Sequence, residues 1–327
     1  TLSIVDVLNI GKILKLSSEL KSYFFSDELI DLNDFNTIYS YFDNLYINKN
    51  IENKIFSAII DKFTIDDKAS STLYNIRSAK RKIDQEIKNK LNNYISSSSY
   101  SKYLQDPVVT IKNDRYVIPV KEEYKNNIKG FIHDMSNSGS TVFIEPISVF
   151  DLNSKISTLT VEENIEIEQI LTNFTSMLFE ILDELENNLR LIGLLDFIFA
   201  KANYSIVLNA TKPLLNENKE INLIKAKHPL IDSSTVVPIN INLGINFNTL
   251  VITGPNTGGK TVTLKTTGLI VLMAMSGLNI PASENSSVFV FDNIFADIGD
   301  EQSIQESLST FSSHMLNIIE ILNNSTS

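Results

Sequence analysis

The chain has 327 residues, of which 43% are hydrophobic and 20% are charged, so it is long enough to form more than one globular domain. It contains no cysteine, which excludes disulfides and thiolate metal sites and is typical of a reducing, cytoplasmic compartment. The net charge of −11 argues against non-specific binding of nucleic acid, because phosphate contacts need lysine and arginine. No uninterrupted apolar run reaches the ~20 residues of a membrane span, so no membrane partner is expected.

Four segments carry a helical hydrophobic period. Apolar residues recur at three- to five-residue steps through residues 1–69, which predicts the first part of an all-α core. In residues 70–105 the apolar stripe narrows, which predicts a long lever helix that packs on one side only. Residues 151–188 have a broad stripe and are expected to return antiparallel to that lever, while residues 189–212 are expected to complete the core.

The first lever also carries a basic cluster, which is either a solvated helix face or a contact for phosphate groups. Its members are Lys80, Arg81, Lys82, Lys88 and Lys90.

Residues 106–150 change to a period of two and predict a small antiparallel β module inserted between the levers. Asn113 and Asp114 are the turn of the first hairpin, and Pro119 indicates that its second strand lies at a sheet edge. His133 is expected to be exposed on the second hairpin. A catalytic triad is not expected there, because no nucleophile elbow accompanies this histidine.

Residues 213–327 alternate short β-rich runs with apolar helix and predict a C-terminal α/β domain. The run 250–261 reads Leu-Val-Ile-Thr-Gly-Pro-Asn-Thr-Gly-Gly-Lys-Thr, which is G-x-x-x-x-G-K-[ST] between an expected strand and an expected helix. Such a loop binds the phosphates of a nucleotide through its backbone N–H groups. The candidate phosphate-binding residues are Gly254, Pro255, Asn256, Thr257, Gly258, Gly259, Lys260 and Thr261.

Each part of this loop has a chemical role. Gly254 and Gly259 permit positive φ and close approach of the backbone to an anion. Lys260 supplies a positive charge to the β- and γ-phosphates, and the Thr261 hydroxyl can ligate Mg²⁺. A nucleotide with Mg²⁺ is therefore the expected ligand of the loop, and the family resemblance described below implies that the nucleotide is ATP. Asp292, at the end of an apolar run, is a candidate for a second Mg²⁺ position.

Segments outside the loop indicate which class of P-loop protein this is. A GTPase would carry Asn-Lys-x-Asp, and the closest run here, Asn-Lys-Asn-Ile at residues 48–51, does not match. An unrelated P-loop kinase is the less favoured alternative, because a small-molecule kinase would not need the long helical and β segments before the loop.

Further segments carry a family resemblance. Together with the loop, three of them resemble the MutS family of ABC-type ATPases: Lys-His-Pro-Leu at 227–230, Phe-Ala-Asp-Ile-Gly-Asp-Glu-Gln at 295–302 and Ser-Leu-Ser-Thr-Phe-Ser-Ser-His-Met at 307–315. Others resemble the type-2 branch of that family, which lacks the mismatch-recognition domains: Tyr-Leu-Gln-Asp-Pro at 103–107, Tyr-Val-Ile-Pro-Val at 116–120 and Phe-Ile-Glu-Pro at 143–146. The resemblance covers nearly the whole chain.

The resemblance implies that residues 106–150 are a clamp module and that residues 213–327 form an ABC-type ATPase domain. It also implies a homodimer in which the signature segment of one subunit meets the nucleotide of the other. Carried over by position, Ser309, with Thr310 beside it, would reach the γ-phosphate in trans. Without the resemblance, this serine cluster would be an ordinary helix N-cap. Val236 and Val237 occupy the region that packs on the adenine.

The family further implies a parent protein that couples ATP hydrolysis to branched DNA, suppressing homologous recombination, or to stalled or collided ribosomes through rRNA. An endonuclease domain is expected downstream. The Walker B strand of the family, ending in Asp-Glu, is expected beyond residue 327, so the ATPase domain is expected to be incomplete and to hydrolyse little or no ATP. The alternative is that the chain acts as a non-hydrolysing, nucleotide-binding scaffold.

Overall fold

The computed structural model describes residues 1–26, 36–255, 258–298 and 307–325, with the side chains of residues 36 and 307–314 left out. The chain divides into two compact units, Thr1–Ile192 and Gly193–Ser327. Helices dominate the first unit, and the second combines a sheet with helices. The described residues therefore form a mixed fold of helices and small, mainly antiparallel sheets.

The first unit begins with a helical core. Its helices are α1 (Ile4–Ser26), α2 (Asn36–Asp43) and α3 (Lys49–Ala58). Asn48 precedes α3 and caps it, because its side-chain oxygen accepts the backbone N–H of Ile51 at 3.0 Å. Buried side chains from α1 and α3, among them Leu14 and Ile55, form one cluster with apolar residues further along the chain.

Two long helices follow and pack antiparallel, as their sequence predicts. They are α4 (Ser71–Ser96) and α5 (Ile147–Phe179). The Ser70 hydroxyl donates to Glu166 at 2.6 Å at one end of the pair, and the hydroxyls of Tyr94 and Ser148 lie 3.2 Å apart near the other end. This pair runs from the helical core to the β module. Leu73 of α4 belongs to the cluster of the helical core, and Ile83, Ile87 and Leu91 of α4 belong to the cluster of the β module.

The next helix, α6 (Leu182–Leu208), is continuous, whereas the hydrophobic pattern predicts a division after residue 188. The division lies instead at the turn formed by Glu180 and Ile181. No proline falls within residues 182–208, so the backbone hydrogen bonds continue to Leu208.

The β module is a four-stranded antiparallel sheet with strand order β1-β2-β4-β3. Its strands are β1 (Thr110–Lys112), β2 (Arg115–Lys121), β3 (Gly130–Met135) and β4 (Thr141–Pro146). Asn113 and Asp114 join β1 to β2 with φ of +51° and +59°, as a tight hairpin turn requires, which confirms the predicted first hairpin. One face of the sheet packs on Ile83, Ile87 and Leu91 of α4.

The prediction that Pro119 marks an edge strand is wrong, because β2 lies between β1 and β4. The N–H and C=O of one strand residue point to the same side, so the N–H that proline lacks would face the β1 side. On that side the β1 ladder has already ended at the Thr110–Val117 pair. The Pro119 carbonyl accepts the backbone N–H of Gln105 there at 3.0 Å.

His133 is half-buried, so its predicted exposure is also wrong. Its Nε2 lies 2.5 Å from Oε2 of Glu145, a residue of β4 whose carboxylate is fully buried. The histidine is turned inward because this carboxylate provides a charged partner for it.

The second unit contains a sheet of order β5-β8-β6-β7. Its strands are β5 (Leu214–Asn216), β6 (Ile221–Ala226), β7 (Ile239–Leu243) and β8 (Ser287–Phe289). The β5–β8 pair is parallel, whereas β6 pairs antiparallel with both β7 and β8. The helix α7 (Lys260–Met275) packs on this sheet through Ile270, Val271 and Met273, and α8 (Ser307–Asn324) is the last helix.

Residues 250–253 are not a strand, although their β-branched composition predicts one. A strand exists only when a neighbouring strand accepts and donates its hydrogen bonds, so composition alone does not form it. No such ladder involves these residues in the described part of the chain, and Val251 is 76% exposed.

One described helix, α6, is long and apolar enough to cross a membrane when judged by length and composition alone. A single helix of this kind is weak support for a membrane protein, and α6 carries acidic residues, including Asp183, Glu184 and Asp196, along its length.

Candidate nucleotide-binding site

The glycine-rich loop ends at the N-terminus of α7. Gly254 has φ of +147° and Gly259 has φ of +75°, which confirms the expectation that both positions need positive φ. The Gly258 N–H donates to the Pro255 carbonyl at 2.9 Å, and Gly259 is the residue that caps α7. The loop residues Asn256 and Thr257 lie outside the described residues.

Lys260 is the first residue of α7, and its side chain folds back over the loop. Its Nζ donates to the Gly254 carbonyl at 2.7 Å. Thr261 follows as an exposed residue in the first helical turn. The first turn of a helix has N–H groups without intrahelical partners and a partial positive charge, so the loop, the ammonium group and the helix end favour an anion at the same place.

A cavity of 490 Å³ adjoins this helix end. Its polar wall includes Lys260, Thr261 and Asp297, and its apolar wall includes Leu250 and Leu264. Asp297 is absent from the predicted site residues, although its segment, residues 295–302, carries the resemblance. Asp292, the carboxylate proposed from sequence, lines a different cleft, together with Phe291 and Asn293.

The oxygen donors in this cavity fit a magnesium ion. A threonine hydroxyl and a carboxylate are the hard oxygen ligands that Mg²⁺ prefers, with water and phosphate oxygens completing its octahedral shell. No cluster of three or more His, Cys, Asp or Glu occurs in the described ranges, so a purely protein-held metal centre is not formed there. Thr261 and Asp297 therefore fit a metal that arrives with a phosphorylated ligand.

A second cavity, of 430 Å³, lies beside the loop. It brings the predicted pair Val236 and Val237 together with Gly258 and Gly259 of the loop. His228, within the 227–230 segment, also lines it and was not among the predicted site residues. An apolar pocket that adjoins a phosphate-binding loop is suited to the flat base of a nucleotide.

Ser309 and Thr310 lie in the first turn of α8, which begins at Ser307. Their side chains are outside the described residues, so the structure places only the backbone of these two residues, at the start of a helix.

Comparison with known proteins covers most of the chain. Residues 250–327 match the family MutS domain V. Endonuclease MutS2 of Acetivibrio thermocellus is 50% identical over 322 residues, which cover 97% of this chain and 40% of that protein. Endonuclease MutS2 of Clostridioides difficile is 47% identical over 98% of this chain and 40% of its own length. The chain belongs to the MutS family, in its type-2 branch.

Domain V is the ATPase domain of MutS proteins, and its matched range includes the loop, α7 and α8. This MutS chain spans about 40% of the length of the relatives named above.

The basic cluster of α4 in this MutS chain is largely neutralised within its own unit. Glu163 of α5 accepts from Arg77 Nε at 2.7 Å and from Lys80 Nζ at 2.6 Å. Asp67 accepts from Arg77 at 2.8 Å and from Arg81 at 3.0 Å. Two more pairs lie along α4 itself: Lys88 with Asp84, and Lys90 with Glu86. These pairs favour the structural interpretation of the cluster over phosphate contact.

Proposed function

We propose that this chain is the ATP-binding core of a type-2 MutS ATPase. The observation that carries the proposal is the cavity at the start of α7, where Lys260, Thr261 and Asp297 meet. Positive φ at Gly254 and Gly259 supports the same conclusion, because it lets the backbone wrap an anion.

The residues divide among the parts of the nucleotide. Lys260 and the loop N–H groups bind the β- and γ-phosphates, which requires the ammonium group to leave the Gly254 carbonyl. Thr261 and Asp297 would hold Mg²⁺, which would supply positive charge to neutralise the phosphates. Val236, Val237 and His228 contact the adenine.

The remaining assignments concern the full-length protein. Residues 106–150 would be a clamp and residues 213–327 would belong to the ATPase domain. In a homodimer, Ser309 and Thr310 of one subunit would reach the γ-phosphate of the other. The relatives are named endonucleases, which supports branched DNA as a substrate, with suppression of recombination as the outcome. Action on stalled ribosomes through rRNA, in the cytoplasm, is the second target.

Binding and hydrolysis are separate properties here. Among the described residues that line the cavity, Asp297 is the one carboxylate, and ATP hydrolysis needs in addition a general base that activates water. This observation favours the alternative that the chain, by itself, binds nucleotide as a scaffold and turns it over slowly or not at all.

Titration of a fluorescent ATP analogue, with and without Mg²⁺, tests the proposal. We expect Lys260→Ala to weaken binding by at least about 100-fold, because several charge-assisted hydrogen bonds to phosphate are lost. Lys265→Ala, an equal charge change on an exposed site of the same helix, is the matched control and should bind normally. Equal affinity of the native chain and Lys260→Ala would refute the site.

Turnover is measured in the same samples. Phosphate release at background, together with Lys260-dependent binding, supports the scaffold role for this chain. Hydrolysis that is lost in Asp297→Asn would instead show that this carboxylate is part of a working ATPase site.

A further inference from the structure

A cleft in the second unit is separate from the loop and has a volume of 630 Å³. It lies where the end of α6 meets β6 and the chain before β8. Two lysines, Lys225 and Lys227, form part of its wall, with Glu284 as the acidic residue of the lining. A concave space of this size is typical of small-molecule sites.

The backbone of β6 is distorted at the point where it presents Lys225. In an unbroken strand Leu223 and Lys225 would share one face, and Leu223 is buried. A register shift between Leu223 and Ala226 changes this pattern, so that Ala226 is buried in the core and Lys225 is exposed in the cleft. Bulges of this kind re-aim a side chain and often occur near functional sites.

The distortion is strained and is held in place. Lys225 has φ of +48°, a left-handed conformation that is unfavourable for a non-glycine residue. Its N–H is held by Oδ1 of Asn240 at 2.8 Å, and the N–H of Lys227 is held by the Pro281 carbonyl at 2.8 Å. Both lysines are therefore fixed at their Cα positions on one wall of the cleft.

The charges of this wall are not balanced. Neither Lys225 nor Lys227 forms an ion pair with any residue in the part of the chain that the structure describes. Asn209 and Ser283 add an amide and a hydroxyl donor to the same lining, and Glu284 is exposed. Two neighbouring ammonium groups repel each other unless an anion lies between them.

We propose that this cleft is a second anion site, which binds the phosphate group of a small phosphorylated molecule. A phosphate dianion matches two ammonium groups with further N–H and O–H donors, since it offers several acceptor oxygens. The site lies on β6 and does not depend on the nucleotide site proposed at α7.

The test uses the full chain carrying Lys260→Ala, so that the contribution of the loop to phosphate binding is greatly reduced. Inorganic pyrophosphate is titrated calorimetrically at low salt, because charge-based binding weakens as salt screens it. We expect saturable binding that becomes at least about tenfold weaker in Lys225→Ala/Lys227→Ala. The matched control is Lys212→Ala/Lys265→Ala, which removes the same charge from exposed positions outside the cleft.

Each outcome has a clear meaning. Retained binding in Lys225→Arg/Lys227→Arg, with an unchanged melting temperature in the alanine variant, supports the site. No saturable binding, or equal weakening in the control variant, overturns the proposal. Displacement of pyrophosphate by ATP would support a small ligand, and displacement only by a single-stranded oligonucleotide would overturn that choice in favour of a nucleic-acid backbone.

Discussion

At the scale of single residues, Glu145 is the charged centre of the β module. Its side chain is fully buried and accepts from Arg115 Nη1 at 2.8 and 2.9 Å and from Asn153 Nδ2 at 2.6 Å. His133 is its third partner. A buried carboxylate with several donors stabilises the fold only while all partners stay in place, because each partner would otherwise be left unpaired.

Glu145→Gln keeps the size of the side chain and removes its charge. We expect the free energy of unfolding of the β module to fall by about 3 kcal/mol, since Arg115 would lose a buried counter-charge. Urea denaturation followed by near-UV circular dichroism of the tyrosines beside the sheet measures this. Glu122→Gln, which breaks an exposed pair with Lys125, should change stability by less than about 0.5 kcal/mol. Similar effects of the two variants would contradict the role of Glu145.

Secondary-structure elements in the first unit are joined by ion pairs that respond to acid. Burial acts to raise the pKa of Glu163, but hydrogen bonds from Lys80 and Arg77 outweigh it and hold that pKa below its usual value of 4.5. The folded state therefore binds fewer protons at Glu163 than the unfolded state does. The stabilising contribution is present above pH 4.5 and is lost as pH falls through the lowered pKa.

Glu163→Gln should remove this dependence on acid. The variant is expected to lose about 2 kcal/mol at pH 7, because two charged donors lose a partly buried partner, and to lose less further stability between pH 5 and pH 3 than the native chain. Thermal melts across this pH range give the comparison. Parallel curves for the two proteins would show that Glu163 does not carry the linkage.

The β3–β4 pair depends on a glycine for close approach. A Cβ at Gly130 would lie 2.2 Å from the Glu145 carbonyl oxygen and 2.7 Å from Ile144 Cγ2. We expect Gly130→Ala to destabilise the module by about 3 kcal/mol, because backbone must move to admit the methyl group. Gly193→Ala, in α6 with open space around it, should instead be neutral or stabilising by up to about 1 kcal/mol. Equal melting temperatures for the two variants would contradict this packing.

Prediction from sequence was correct for elements that neighbouring residues determine. The Asn113–Asp114 turn and the periodic helices α4 and α5 are such cases. Prediction from sequence was wrong where the structure of a segment depends on a residue or strand far along the chain. Residues 250–253 would form a strand only beside a neighbouring strand. The inward position of His133 depends on Glu145, and Pro119 is tolerated between two strands because the β1 ladder has already ended. Asp297 was missed as a site residue because only the folded chain brings it to Lys260.

At the scale of the whole molecule, the two units have separate cores. Clusters from residues 1–192 hold the helical core and the β module, and another cluster holds the sheet and α7 of the second unit. A bound ligand raises the unfolding free energy of the unit that binds it, by about 2.7 kcal/mol when its concentration is 100 times its Kd. With separate cores, a nucleotide bound in the second unit is expected to stabilise that unit alone.

Hydrogen exchange with mass spectrometry tests this independence. Mg²⁺ and a non-hydrolysable ATP analogue at saturating concentration should slow exchange in peptides of residues 193–327 and leave those of α1 and α3 unchanged. In the Lys260→Ala protein, the same ligand should leave exchange unchanged in residues 193–327 as well. Slower exchange throughout residues 1–192 would mean that the cores are energetically coupled.

The paired helices α4 and α5 also have a mechanical consequence. The ion pairs of Glu163 and the bonds near each end restrict sliding of one helix along the other, so the pair behaves as a stiff rod. With 26 residues, α4 is about 39 Å long, and a rotation of about 10° at one end would displace the other by about 7 Å. A displacement of that size exceeds the spacing of about 4.8 Å between neighbouring strands. A small tilt of the helix pair at the helical core would therefore move the β module by more than the width of one strand.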